Sequence, residues 1–358
     1  MTAQTITSPL NSEARPTRRV LPAWVGSWEL SLFVLVILVI SAASIGSQYF
    51  ATGQNFAITA GGAIGLALMV VPMAWLMISG EIDLSIASIF GLAGVVFGLC
   101  IEAGIAFPFA IVSGLVLGAA AGFLNGWLTV TFGLPSLVVT VGTLGLYRGI
   151  AYILLESRSI SALPVEFTTF AQSNIIGTYV PYTFILFVVV AVIASVLLHG
   201  GASGRRAFAV GSSAVVSAFS GIRVPRLKIV LFVFSGTIAA LAGMLYTGYV
   251  SSARATNGTG LELSVIAIVL IGGVSMFGGK GSFLGVMLSL LLVTVLTSWM
   301  NLFFVPSNVQ NTVVGVLMIA AVVIPVIVTR TRDRRRSLAL SSVDTRKRYR
   351  LDRMFTKT

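Results

Sequence analysis

Residues 56–78 read FAITAGGAIGLALMVVPMAWLMI, an apolar run with no charged side chain in it. A bilayer core about 30 Å thick is crossed by roughly 20 such residues in a helix, so the run reads as a membrane span. The rest of the chain points the same way. Of 358 residues only 9% are charged and 56% are hydrophobic, whereas soluble domains carry about 25% charge. So little charge cannot cover a water-facing surface of this size, and lipid takes its place.

Further apolar stretches lie at Leu30–Ile45, 84–101, 108–128, 134–155, 181–199, 229–250, 263–277, 283–300 and 308–328. With 56–78 that makes about ten transmembrane helices and an all-α integral membrane fold. The stretches 84–101 and 134–155 are also open to a partly re-entrant reading. Pro72 and Gly142 fall inside spans, which membrane helices tolerate where neighbours or a cavity satisfy the freed backbone groups. Residues 1–29 read as a cytoplasmic N-terminal segment, 30–328 as the transmembrane domain and 329–358 as a basic cytoplasmic tail. The polar lead before Leu30 favours a retained first helix over a cleaved signal.

Charge sets the orientation. With the N-terminus inside, twenty Lys and Arg fall on inside connections and two, Arg158 and Arg254, outside. That bias places both termini in the cytoplasm. The net charge of +12 comes largely from the tail, where 11 of the 23 cations lie, and reads as a flank near anionic lipid rather than a nucleic-acid surface. One cysteine, Cys100, and one histidine, His199, leave no disulfide framework and no Cys/His zinc site.

The halves of the chain echo each other. Asp83-Leu-Ser-Ile86 returns as Glu262-Leu-Ser-Val265, and Phe132-Gly-Leu-Pro-Ser-Leu-Val138 as Phe303-Phe-Val-Pro-Ser-Asn-Val309. Five helices per half would make the second repeat inverted, a common transporter device with the substrate path near the repeat interface.

Two motifs fail on inspection. Gly278-Gly-Lys-Gly-Ser282 lacks the frame of a phosphate-binding loop and follows no strand, so no ATP site is visible. Gly201-Ala-Ser-Gly204 with His199 resembles an intramembrane protease motif but stands beside Arg205 and Arg206 at the water side, where no shielded dyad can form. No catalytic residue and no cofactor are expected.

Other residues point to a solute path. Asp83 either caps the following helix or lines the path, and the two roles are compatible. Arg148 reads as a snorkelled or carbonyl-paired cation, or as a polar group in the path. Asn125, Asn301 and Asn308, with Trp127, Trp299, Gln310 and Asn311 nearby, are the neutral hydrogen-bonding and aromatic groups that a sugar requires. Helix packing and interfacial belts account for such residues as well. On the inside connection 200–228, Ser213 can cap and Gly221 can end a short helix whose face Val215, Val216 and Phe219 is apolar. Such a face lies on lipid or plugs a partner's groove.

Together, Gly80-Glu-Ile-Asp-Leu-Ser85, Leu134-Pro-Ser-Leu-Val-Val-Thr-Val-Gly-Thr143, Arg148-Gly149, Ser220-Gly-Ile-Arg-Val224, Gly272-Gly-Val274 and Gly278–Ser282 resemble the permease subunits of ribose-type ABC sugar importers. The likeness runs from about Asn55 to Pro325. It departs at Glu81, where the family usually has Gly, and at Val215-Val-Ser217, where a Glu-Ala-Ala-like run is usual. These departures are similar to branches that pair two different permeases, as for rhamnose or the autoinducer-2 furanosyl signal. The resemblance implies a second permease subunit, two ATP-binding cassette subunits docking at Val215, Val216, Phe219 and Gly221, and a periplasmic solute-binding protein. It further implies a bacterial inner-membrane location and import of a monosaccharide or similar polyhydroxylated solute. An ion-gradient-driven secondary transporter is the alternative, and it would need a titratable or Na⁺-binding cluster at the midplane.

Overall fold

The computed structural model describes residues 27–156, 158–317, 319, 320 and 323. The tail at 329–358 and most of the N-terminal segment therefore lie outside the described residues. Thirteen helices are assigned: α1 (Ser27–Gly46), α2 (Gly53–Gly62), α3 (Ile64–Ile78), α4 (Ile86–Glu102), α5 (Phe107–Thr131), α6 (Ser136–Leu155), α7 (Val165–Gln172), α8 (Tyr182–His199), α9 (Ala202–Ser212), α10 (Ala214–Phe219), α11 (Val224–Tyr249), α12 (Leu261–Ile271) and α13 (Phe283–Leu302). A further helical segment follows at 307–317. Among the described residues there is no β-strand, only the isolated bridges Ile160–Ala253 and Asn174–Pro181.

Six helices (α1, α5, α6, α8, α11 and α13) are long and apolar enough to cross a membrane. A seventh span is possible if α2 and α3 count as one, broken by a 54° bend. The run 56–78 is thus not one straight helix. The bend falls at Gly61-Gly62-Ala63 rather than at Pro72, which sits inside α3. Gly61 lets the ring of Tyr249 press against the backbone, for a Cβ there would stand 2.6 Å from the ring. The apolar helices α4 and α12 are shorter. The stretch expected at 263–277 ends at Ile271, because Gly272-Gly273 follows and Gly273 takes a left-handed φ of 84°.

The core is built around α3, in which every residue but Leu66 is buried. A helix apolar on all sides belongs inside the protein, and α3 packs against α11, α12 and α8. The tightest pair is α5 with α11. Gly114, Gly118, Gly122 and Gly126 recur every four residues along α5 and face Met244, Gly236, Phe232 and Ile229 of α11. A side chain at Gly118 or Gly122 would collide with a backbone carbonyl of α11, so the small residues set the helix separation.

Two turns repeat the same geometry. After α5, Gly133 is left-handed (φ 65°) and Pro135 precedes α6. After α13, Phe304 is left-handed (φ 54°) and Pro306 precedes the helical segment at 307.

Candidate functional site

The segment Gly80–Ser85 leaves the end of α3 through a Schellman turn. Glu81 N–H donates to Leu76 O at 2.9 Å and Gly80 N–H to Met77 O at 3.0 Å, with Gly80 at φ 85°. Only glycine adopts that conformation without strain. The segment then ties four helices together. Asp83, 0% exposed, accepts from Ser85 N–H at 3.0 Å and Ser85 Oγ at 2.7 Å through Oδ1. Its Oδ2 accepts from Ser235 Oγ of α11 at 2.9 Å. Asn125 of α5 donates to Ser85 Oγ at 2.7 Å, and Tyr147 OH of α6 donates to Ala121 O at 3.0 Å and Asn125 Oδ1 at 3.4 Å. Ser136 Oγ at the start of α6 accepts from Ile82 N–H at 3.2 Å, and Thr140 Oγ1 donates to Ile82 O at 3.3 Å. Buried polar groups must be paired, and here each one pairs with a group on another element.

Of the five expected pathway residues, Asp83 and Asn125 are thus brought together through Ser85, inside the subunit and away from its surface. Arg148 stands apart, half-buried, donating to Ala87 O at 3.1 Å, Ala255 O at 2.7 Å and Asn257 O at 2.8 Å. It ties α6 to the first turn of α4 and to the loop before α12. Asn301 and Asn308 are exposed at the α13 turn. Asn301 Oδ1 accepts from Gln310 Nε2 at 2.6 Å, and Asn308 O accepts from Thr312 Oγ1 at 2.9 Å.

The short helix at the 200–228 connection is α10. Ser213 caps it, accepting from Val216 N–H at 3.3 Å, and Gly221 ends it at φ 82°. Val215, Val216 and Phe219 point outward, Phe219 being 90% exposed. Leaving a large apolar side chain in water forgoes about 1.5–3 kcal/mol.

Three features escaped the residue-by-residue reading. Ser85, Ser235 and Tyr147 complete the Asp83 network. A cleft of about 590 Å³ opens between α1, α2, α3, α8 and α13, with Asn55 and Thr59 both bonded to Ser298 on its wall. Glu81 and Lys228 form an ion pair. The cations Arg226 and Lys228 at the start of α11 and an acid in an apolar turn were the available signals for that pair.

A family model described as the branched-chain amino acid transport system permease component matches residues 57–322. The chain belongs to this permease family. It is 30% identical over 302 residues to the autoinducer 2 import system permease protein LsrD of Yersinia enterocolitica, covering 83% of this chain and 91% of that relative. The proteins of the same name from Escherichia coli K12 and Shigella flexneri are 31% identical over 302 residues, with the same coverage. No solved structure matches. These relatives bear out the resemblance to ribose-type permeases, and they are themselves named for one of the two branches considered, autoinducer-2 import. With its apolar helices, this member of the permease family is a multi-pass membrane protein.

Proposed function

We propose that the chain is the transmembrane permease subunit of an ATP-driven importer in the bacterial inner membrane. Its solute is a monosaccharide or a related small polyhydroxylated molecule such as the furanosyl autoinducer 2 named in its relatives. It performs no hydrolysis itself. Separate ATP-binding cassette subunits dock on the cytoplasmic side, a periplasmic binding protein delivers the solute, and a second permease subunit completes the path. The observation that carries this reading is α10, a capped helix presenting Val215, Val216 and Phe219 to the outside on the largest internal basic connection.

The ten-span, inverted-repeat topology with both termini inside belongs to the same proposal. Three parallels support it. The two matching acidic motifs stand at the starts of the short apolar helices, Asp83 just before α4 and Glu262 in the first turn of α12. The turns before Pro135 and Pro306 share a left-handed residue at the same offset. Cations favour one side. At Gly142, Gly145 and Gly149 of α6 a side chain would meet no neighbour among the described residues, unlike the filled glycines of α5. Small residues on an open membrane helix suit close approach of a second permease. The exposed Asn301 and Asn308 are the proposed solute contacts near the outer mouth. Asp83, Asn125 and Arg148 set the position of α6.

Phe219→Asp tests the reading by placing a charge where a dry groove would close, a penalty of several kcal/mol. The variant should reach the membrane at wild-type level yet lose the ATP-binding subunit on co-purification. A coupled complex carrying Phe219→Asp would overturn the docking assignment.

A further inference from the structure

Glu81 and Lys228 lie far apart in sequence, yet Lys228 Nζ pairs with Glu81 Oε1. Glu81 is buried and the Lys228 side chain is 23% exposed. The pair forms part of the wall of a cavity of about 740 Å³. The same cavity is lined by the α5–α6 turn at Pro135, the start of α11 at Pro225, and the exposed ring of Phe277.

What the two residues join matters more than the pair itself. Lys228 sits in the first turn or so of α11, and only residues 220–223 separate α11 from α10. Pro225 stiffens that start, so a displacement of α10 is passed to Lys228 with little slack. Glu81 precedes Ile82 and Asp83, whose bonds to Ser136, Thr140 and Ser235 hold α6 and α11. The ion pair therefore joins the α10 end of α11 directly to the segment that positions α6.

We propose that Glu81 and Lys228 are positioning residues that transmit movement of α10 to the Gly80–Ser85 segment and so to α6. The proposal rests on the ATPase-coupled reading above. A pair of charges held together in a partly dry site resists separation, and its alignment is lost if either end moves alone. Without the link, α10 can follow an ATPase while α6 stays still. Hydrolysis then continues and transport lags.

The test uses the full importer reconstituted in vesicles, with solute uptake and ATP hydrolysis measured together. Glu81→Gln/Lys228→Met removes both charges at once and leaves neither buried unpaired, so a pair that only neutralises its own buried charges would be replaced without consequence. Transmission instead requires that the double variant assemble normally but move about tenfold less solute per ATP, within the range of coupling between sites. Lys228→Arg, which keeps the pair, should retain the wild-type ratio. A wild-type ratio in the double variant overturns the proposal and leaves the ATPase reading intact. So does failure of the double variant to assemble, because it makes the pair a folding element. If wild-type uptake itself ignores the ATPase, the underlying reading has failed instead.

Discussion

Asp83→Ala removes one acceptor from three donors. Ser235 Oγ can turn to a carbonyl one helical turn back, and Ser85 Oγ still accepts from Asn125. The Ser85 N–H, 3.0 Å from Asp83 Oδ1 and buried, has no such recourse. A buried donor left unpaired costs about 1–3 kcal/mol, and each lost bond to a charged acceptor about 1.5–3 kcal/mol. The substitution also relieves a buried carboxylate of its desolvation, an offset of several kcal/mol. With three donors converging, the balance is a net loss of about 2–4 kcal/mol. Asp83→Asn keeps the shape and one acceptor oxygen and loses about 1–2 kcal/mol. The sole cysteine, Cys100, half-buried on α4 with its Sγ 3.3 Å from Ser113 Oγ, reports unfolding to a thiol-reactive dye in detergent. At roughly 2–4 °C per kcal/mol, Asp83→Ala should lower Tm by about 5–15 °C. An alanine variant that melts at or above wild type would refute the clamp, as would an asparagine variant less stable than the alanine one.

Other consequences are checked by labelling and by pairing. In a Cys100→Ala background, cysteines at Thr178 and Thr256, both exposed, should react with an impermeant thiol reagent on intact cells, and labelling only after permeabilisation rejects the orientation. Gly122→Val should abolish recovery of folded protein, since its side chain enters the α11 backbone at Phe232. Gly145→Leu, with nothing among the described residues against its Cβ, should leave folding intact and weaken association with the second permease. The reverse pattern would mean that α6, not α5, is the buried face.

Much of the helical order was legible because long uncharged runs have few alternatives in a chain this apolar. The α10 helix was legible from Ser213 and Gly221, a capping residue and a left-handed glycine whose effects are local. The bend at Gly61-Gly62 was not, since it depends on the Tyr249 ring arriving from α11. The early end of α12 was within reach, because Gly272-Gly273 offered a stop signal inside an apolar run. Asp83 stood out as a polar residue just before a helix start, but its partner Ser235 lies 152 positions away and carries no pattern that marks it. The same distance problem hid Lys228 from Glu81. Asn301 and Asn308 are amides like Asn125, and composition cannot tell an exposed amide from one locked inside a helix bundle.

The most direct measurement is uptake of a radiolabelled autoinducer 2-type furanosyl solute or monosaccharide into proteoliposomes. These would contain this permease and its partner permease, with ATP inside and the binding protein outside. Uptake should appear only when the ATP-binding subunits are present, and should be indifferent to a proton or sodium gradient. Uptake driven by an ion gradient in vesicles lacking those subunits would contradict it.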